Sequence, residues 1–189
     1  MNFTQLLNEY LTLFNEVPLE VENHNSVYEN LNNILYNQEI AKSLKHQNTP
    51  ICQITDRIKL VWDIYYTDSR YFIVANTDNF IGCSFSGKQK QDNGFQCTYV
   101  WQDIKQYQLA REIIFEFFIT HFTYFESDNI HTTLGKMYWK KLIIEALQKH
   151  IKCFYVYKSQ LSEITSINNF DTFYEKGVES SQFTFRLYQ

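Results

Sequence analysis

The feature that most constrains this chain is a change of hydrophobic period at Ile51. Before it, apolar side chains recur at helical spacing; after it they alternate, which places every second side chain on one face of a strand. RIKLVWDIYY (57–66) sets Ile58, Leu60, Trp62, Ile64 and Tyr66 against Lys59, Val61, Asp63 and Tyr65. Polar turn signals at Thr67–Arg70 and Asn76–Asn79 separate this run from RYFIVA and FIGCSFS, and the tract GKQKQDNG (87–94) leads into FQCTYVW. The pattern predicts an antiparallel meander of four strands. In its last hairpin Cys83 and Cys97 are expected to lie near one another as two buried thiols.

Helical spacing flanks the meander on both sides. Phe3, Leu6, Leu7, Tyr10, Leu11 and Phe14 share one face of a helix over 3–16, which Pro18 stops. A second helix is expected from Ser26, where Ser26 and Glu29 fit a reciprocal capping box, to about His46, with Val27, Leu31, Ile34, Leu35 and Ile40 inward. Past the meander an aromatic helix runs from Gln102 to Phe125, burying Ile104, Tyr107, Ile114, Phe117, Phe118 and Phe122. After the break ESDNIHTT a further helix (134–151) buries Leu134, Met137, Tyr138, Leu142, Ala146 and Leu147. CFYVYK (153–158) then reads as a strand, SQLSEITSI as a connection, NNFDTFYEKG as a short helix ended by Gly177, and SQFTFRLYQ as a last strand. The expectation is one α+β domain over 1–189: an antiparallel meander sheet extended by C-terminal strands and packed against four main helices. It divides into a helical segment (1–50), the meander (51–101), and a helix pair with C-terminal strands (102–189).

Bulk composition excludes some functions. With 189 residues, 44% of them hydrophobic, the chain can bury a proper core. The net charge of −4 and scattered basic residues argue against nucleic-acid binding, which needs clustered Lys and Arg. The nearest thing to a basic patch, Lys136, Lys140, Lys141 and Lys149, reads as the wet face of a helix. The four cysteines lack metal-ligand spacing, and no metal or cofactor is expected. The N-terminus carries acids where a signal peptide carries bases, and no apolar run approaches the roughly 20 residues that span a bilayer. A cytoplasmic protein with free thiols, off the membrane, is the expectation. Aromatics reach 17%, while Gly, Ala, Arg and Pro are scarce, as in an A- and T-rich, bacterial-looking gene.

The stretch Asp128 to Lys136 groups the most polar chemistry. A helix starting at Thr132 or Thr133 presents unpaired N–H groups and a partial positive charge, and His131 and Lys136 add donors. An anion or a partner's carboxylate is the candidate occupant of Asp128, His131, Thr132, Thr133 and Lys136, although a plain Thr cap explains the same residues. His131 oriented by Asp128 also has the form of a general base, but no nucleophile stands nearby. Tyr65, Tyr71, Tyr99 and Trp101 are interface candidates, exposed on the outer sheet face unless other elements bury them.

The run from NNFDTFYEKG to the final strand is similar to the end of GNAT-type acetyltransferases. The resemblance covers about a fifth of the chain and implies that Asn169 and Tyr174 flank a coenzyme A thiol, with Tyr174 as acid. It also implies a pyrophosphate loop, Gln/Arg-x-x-Gly-x-Gly/Ala, joining a strand directly to the long helix; the sequence offers NIHTTLGK. The expected function is nevertheless a non-catalytic protein-binding module, in the character of toxin-neutralising immunity proteins or similar inhibitors, acting by steric occlusion of a toxin or other effector. A degenerate GNAT-type acyltransferase, or another transferase using the Asp128–Lys136 helix start, is the alternative. A homodimer through the aromatic sheet face is a third arrangement.

Overall fold

The computed structural model describes residues 31, 34–103, 105–106, 108–129, 133–168, 170–176 and 183–189. The helix expected over 3–16, the capping box at Ser26, the burial of Ile104 and Tyr107, and the stop at Gly177 lie outside them. The sheet contains β1 (Cys52–Thr55), β2 (Val61–Thr67), β3 (Arg70–Ala75), β4 (Ile81–Gln89), β5 (Phe95–Gln102), β6 (Tyr124–Glu126), β7 (Lys152–Tyr157), β8 (Gln160–Glu163) and β9 (Phe183–Tyr188). Their spatial order is β1-β2-β3-β4-β5-β6-β9-β7-β8. Every neighbouring pair is antiparallel except β5 and β6, which run parallel. Among the described residues four helices accompany it: α1 (Ile34–Gln47), α2, α3 (Thr133–Gln148) and α4 (Phe170–Lys176). α2 is continuous but changes pitch, with α-turns at Leu109–Ile113 and Ile119–His121 around a π-helical stretch, Ile114–Phe118. The α+β class and the sheet extended by C-terminal strands are as the sequence predicts.

Alternation gives the sheet two apolar faces. On one, Trp62, Ile64, Ile73, Phe85 and Phe95 meet α2 and α3. The wide π turn lets Phe117 and Phe118 both enter this layer, where Phe118 lies 4.8 Å from Phe85 and 4.8 Å from Phe95. Each such ring contributes about 2–3 kcal/mol by leaving water. On the opposite face Tyr65, Phe72, Val74, Ile81 and Trp101 pack with Leu31, Ala41 and Leu44. Asn37 of α1, buried among them, uses its side-chain amide as a strand would. Its Oδ1 accepts from Ile81 N (2.7 Å) and its Nδ2 donates to Ile81 O (3.1 Å) and Leu31 O (3.3 Å). Lys45 then ties the end of α1 to the β3–β4 turn, donating to the carbonyls of Ala75, Asn76 and Asp78.

Several local expectations change. Alternation through Ile58 and Leu60 does not continue as strand: Asp56 Oδ1 accepts from Ile58 N and Leu60 N, and Lys59 adopts φ 70°, so the segment turns and β1 becomes a fifth meander strand. Ile58 and Leu60 are exposed as a result. Cys97 pairs with Gly87 while Cys83 pairs with Gln102, across a register shift after Ser86, so the two thiols are not opposite; all four cysteines are free. The aromatic helix stops at His121, and Tyr124–Glu126 forms β6 because β5 and β9 both offer it backbone partners. In α1, Ile34 and Leu35 face outward, since Asn37, Ala41 and Leu44 occupy the sheet. In α3, Met137 is exposed and Trp139 takes the inward position with Leu142, Ile143 and Ala146. Gln160–Glu163 is strand β8, reached through Lys158 and Ser159 with φ 47° and 65°. No helix among the described residues is long and apolar enough to cross a membrane.

Candidate functional site

β5 and β6 share just two paired positions, Phe95 with Phe125 and Gln96 with Glu126. Beyond them β5 runs on to Gln102 beside β4, whereas Ser127 stays with β9, its N–H donating to Phe185 O (2.9 Å). The two parallel strands therefore part at their carboxyl ends, the place where open sheets with parallel strands hold ligands. Each strand leads there into a helix start, β5 into α2 and β6 into α3.

The β6 side carries Glu126, Ser127 and Asp128. Glu126 is buried yet fully engaged: Oε1 accepts from Thr184 Oγ1 (2.8 Å), Oε2 accepts from Arg186 Nε (2.8 Å), and Lys90 Nζ stands 3.6 Å away. The Arg186 guanidinium lies 4.4 Å over the ring of Tyr124, whose hydroxyl donates to both carboxylate oxygens of Asp92 (2.8 and 2.9 Å). Ser127 Oγ accepts from Phe185 N (2.9 Å) and donates to Asp128 O (2.7 Å). Asp128 is half-buried, and burial holds its carboxyl above the usual range, opposed by the Asn129 N–H (2.8 Å) and the charge of Lys88. The arrangement sets a carboxyl with raised proton affinity at Asp128 beside a fixed ion network at Glu126; the sequence singled out the first residue and not the second. Glu126 was hidden because its partners lie on β9, some 60 residues further along the chain.

Of the expected cluster, Asp128, Thr133 and Lys136 are among the described residues. Thr133 opens α3, and His131 and Thr132 lie outside the described residues. Lys136 is directed elsewhere, its ammonium 4.4 Å above the ring of Tyr174. Tyr174 in turn packs against Phe170, Phe183 and Phe185. The helix start is preceded by strand β6 rather than by helix, which corrects the reading of the break before it. Of the interface candidates, Tyr65 and Trp101 are buried beneath α1, Tyr71 is buried in the aromatic layer 5.1 Å from Phe118, and Tyr99 is half-buried. Folding within the chain has consumed that aromatic surface. Burial also pushes the Tyr71 hydroxyl up to about 12.

The β5 side fills its own helix start. Gln102 Oε1 accepts from Ala110 N (2.7 Å), and Asp103 Oδ1 accepts from Lys105 N (2.8 Å). Burial raises the Asp103 carboxyl above its ordinary range. Residues 103–108 contain no glycine, and Gln108 takes the left-handed conformation, φ 73°, that glycine would adopt at less cost. No protein-family model, curated protein or solved structure matches the chain.

Proposed function

We propose that the protein is a non-catalytic, cytoplasmic protein-binding module that acts as immunity and inhibitor proteins do, by covering the surface of a toxin or other effector. The observation that carries this reading is the β1 edge. Among the described strands β1 pairs with β2 and nothing else, so its outer N–H and C=O groups point away from the sheet. No charged residue occurs from Gln47 to Thr55, although charges are the usual defence of an open edge. Exposed Ile51 (55%), Ile58 (68%) and Leu60 (41%) flank it. An extended segment of a partner adds there as a further strand, with those aliphatic side chains as anchors in place of the buried tyrosines. Both helix starts beside the parting strands meanwhile carry the chain's own carboxylates, Asp103 and Asp128, which disfavours an anionic coenzyme at either.

The test is capture of proteins encoded in adjoining reading frames by the wild type and by Thr55→Lys/Ile58→Asp. We expect a bound partner and a loss of roughly thirtyfold in affinity for the variant, the scale of about 2 kcal/mol. Absence of any neighbouring partner, or an unchanged affinity, refutes the reading.

A second reading, a degenerate GNAT-type acyltransferase, is favoured by the connection β5–α2–β6: a strand runs directly into a long helix beside a parallel pair that opens. Its required loop would be 103–108, where glycine is missing and Gln102 caps the helix. Coenzyme A in a thermal unfolding assay separates the two readings. Marked stabilisation that disappears in Lys105→Glu, which places a further acid in that loop, supports the transferase; an unmoved midpoint supports the binding module.

A further inference from the structure

β1 offers an added strand two different faces. Cys52 and Ile54 are half-buried and pack against the aromatic layer on the α2 side of the sheet. Gln53 and Thr55 alternate to the other side, where Gln53 Nε2 donates to Asp63 Oδ1 (2.6 Å). A neighbouring strand therefore sets every second side chain beside Cys52 and Ile54, at the margin of the layer. Just past Thr55 a cleft of about 240 Å³ opens between the β1–β2 turn and the first turn of α2, lined by Ile58, Leu109, Arg57, Gln106 and Glu112 among others. Leu109 belongs to the same layer, and Ile58 is 68% exposed. The volume lies below the roughly 300–1,000 Å³ of small-molecule sites and has room for one large side chain.

The charges around the cleft are already matched. Arg57 Nε stands 2.8 Å from Glu112 Oε1, and the Arg57 N–H donates to Glu112 Oε2 (3.3 Å). The Asp56 carboxylate accepts from Ile58 N, Leu60 N and Trp62 Nε1, and Lys105 lies in the field of Asp103. A charged occupant would lose water there and find no unmatched counter-charge among the lining residues. A neutral ring avoids that cost, and the guanidinium held by Glu112 gives it a flat cationic plane to stack on. A second copy of the chain supplies no such ring from its own edge, since no aromatic residue occurs between Tyr36 and Trp62. We propose that the segment docking on β1 is an alternating apolar and polar strand with one aromatic anchor, Trp or Tyr, placed beside Ile54 so that its ring fills the cleft between Ile58 and Leu109. This rests on the reading of β1 as a docking edge and names the chemistry of its partner.

Capped peptides of about nine residues, long enough to span β1, test it. They alternate threonine with valine between Gly-Ser tails and carry Trp, Ala or Asp at the central apolar position. NMR titration of the isotope-labelled full chain reads both place and affinity. The Trp peptide is expected to shift the amides of Cys52–Thr55 and the methyls of Ile58 and Leu109, and to bind at least about tenfold tighter than the Ala peptide. The Asp peptide should bind more weakly than either. Gln106→Trp, which offers the cleft a ring from the chain itself, and Ile58→Ala, which removes a wall, should each shrink the preference for Trp over Ala while the β1 amides still shift. Equal affinity of the Trp and Ala peptides with β1 amides shifted, or a Trp preference unchanged in both variants, refutes the anchor and leaves the docking edge standing. Failure of every peptide to shift the β1 amides overturns the docking edge and the anchor with it.

Discussion

Asn37 shows how a single polar side chain can fix a helix to a sheet. It spends both ends of its amide on the backbone of Ile81 at the start of β4, in a layer that excludes water. Asn37→Ala leaves that N–H and C=O unpaired, and urea unfolding is expected to show a loss of about 2–3 kcal/mol. Glu126 is the charged counterpart. Glu126→Leu strands Arg186 beside Lys90, and removing one member of a buried pair costs about 3–5 kcal/mol. The carboxyls of Asp103 and Asp128 work in the other direction. Both are held above the ordinary range, so the folded chain binds their protons more tightly than the unfolded chain does. The contribution of these two groups to stability is therefore fully present below the unfolded Asp value of about 3.9 and is lost as pH rises through their folded values. Asp103→Asn and Asp128→Asn keep their hydrogen-bond acceptors, and each is expected to raise the urea midpoint at neutral pH and leave it unchanged near pH 3. A variant that is less stable than wild type at neutral pH would contradict this account.

At the level of elements, the strands that periodicity missed are the short ones. β6 spans three residues and β8 four, too few for alternation to register, and each exists because a longer neighbour supplies its pairing. The β7–β8 turn also lacks the usual Asn-Gly signal, placing Lys158 and Ser159 in left-handed conformations instead. Replacing them by Asn-Gly removes that strain, and we expect a gain of about 1 kcal/mol in thermal or urea unfolding. Gly94 is the reverse case, a residue that nothing else can replace. A Cβ there would run into the ring of Tyr124, which anchors β6 to Asp92. Gly94→Ala is expected to cost about 1–3 kcal/mol and to loosen the joint between β5 and β6 first, visible as faster amide exchange at Phe125 and Glu126. By contrast, the long meander strands and α3 were legible because their apolar patterns extend over many residues. The inward face of α1 was not, because a buried asparagine sits where the pattern asks for a leucine.

For the whole molecule, the α+β class followed from counting periods, while the order of strands did not, since nothing local records which distant strand will lie beside which. The candidate site suffers most from this. Asp128 could be picked out as a polar residue before a helix, but the divergence of β5 and β6 that gives it a setting is a property of the assembled sheet. The position of β9 carries a final implication. It lies between β6 and β7 and is bonded to both, although it follows every other described strand in the chain. Until Tyr188 has been made, no described strand bridges β6 and β7, so the growing chain waits with that seam of the sheet unpaired. Stop codons placed before Phe183 should therefore yield protein that is captured by chaperones or degraded, instead of a slightly shortened native fold.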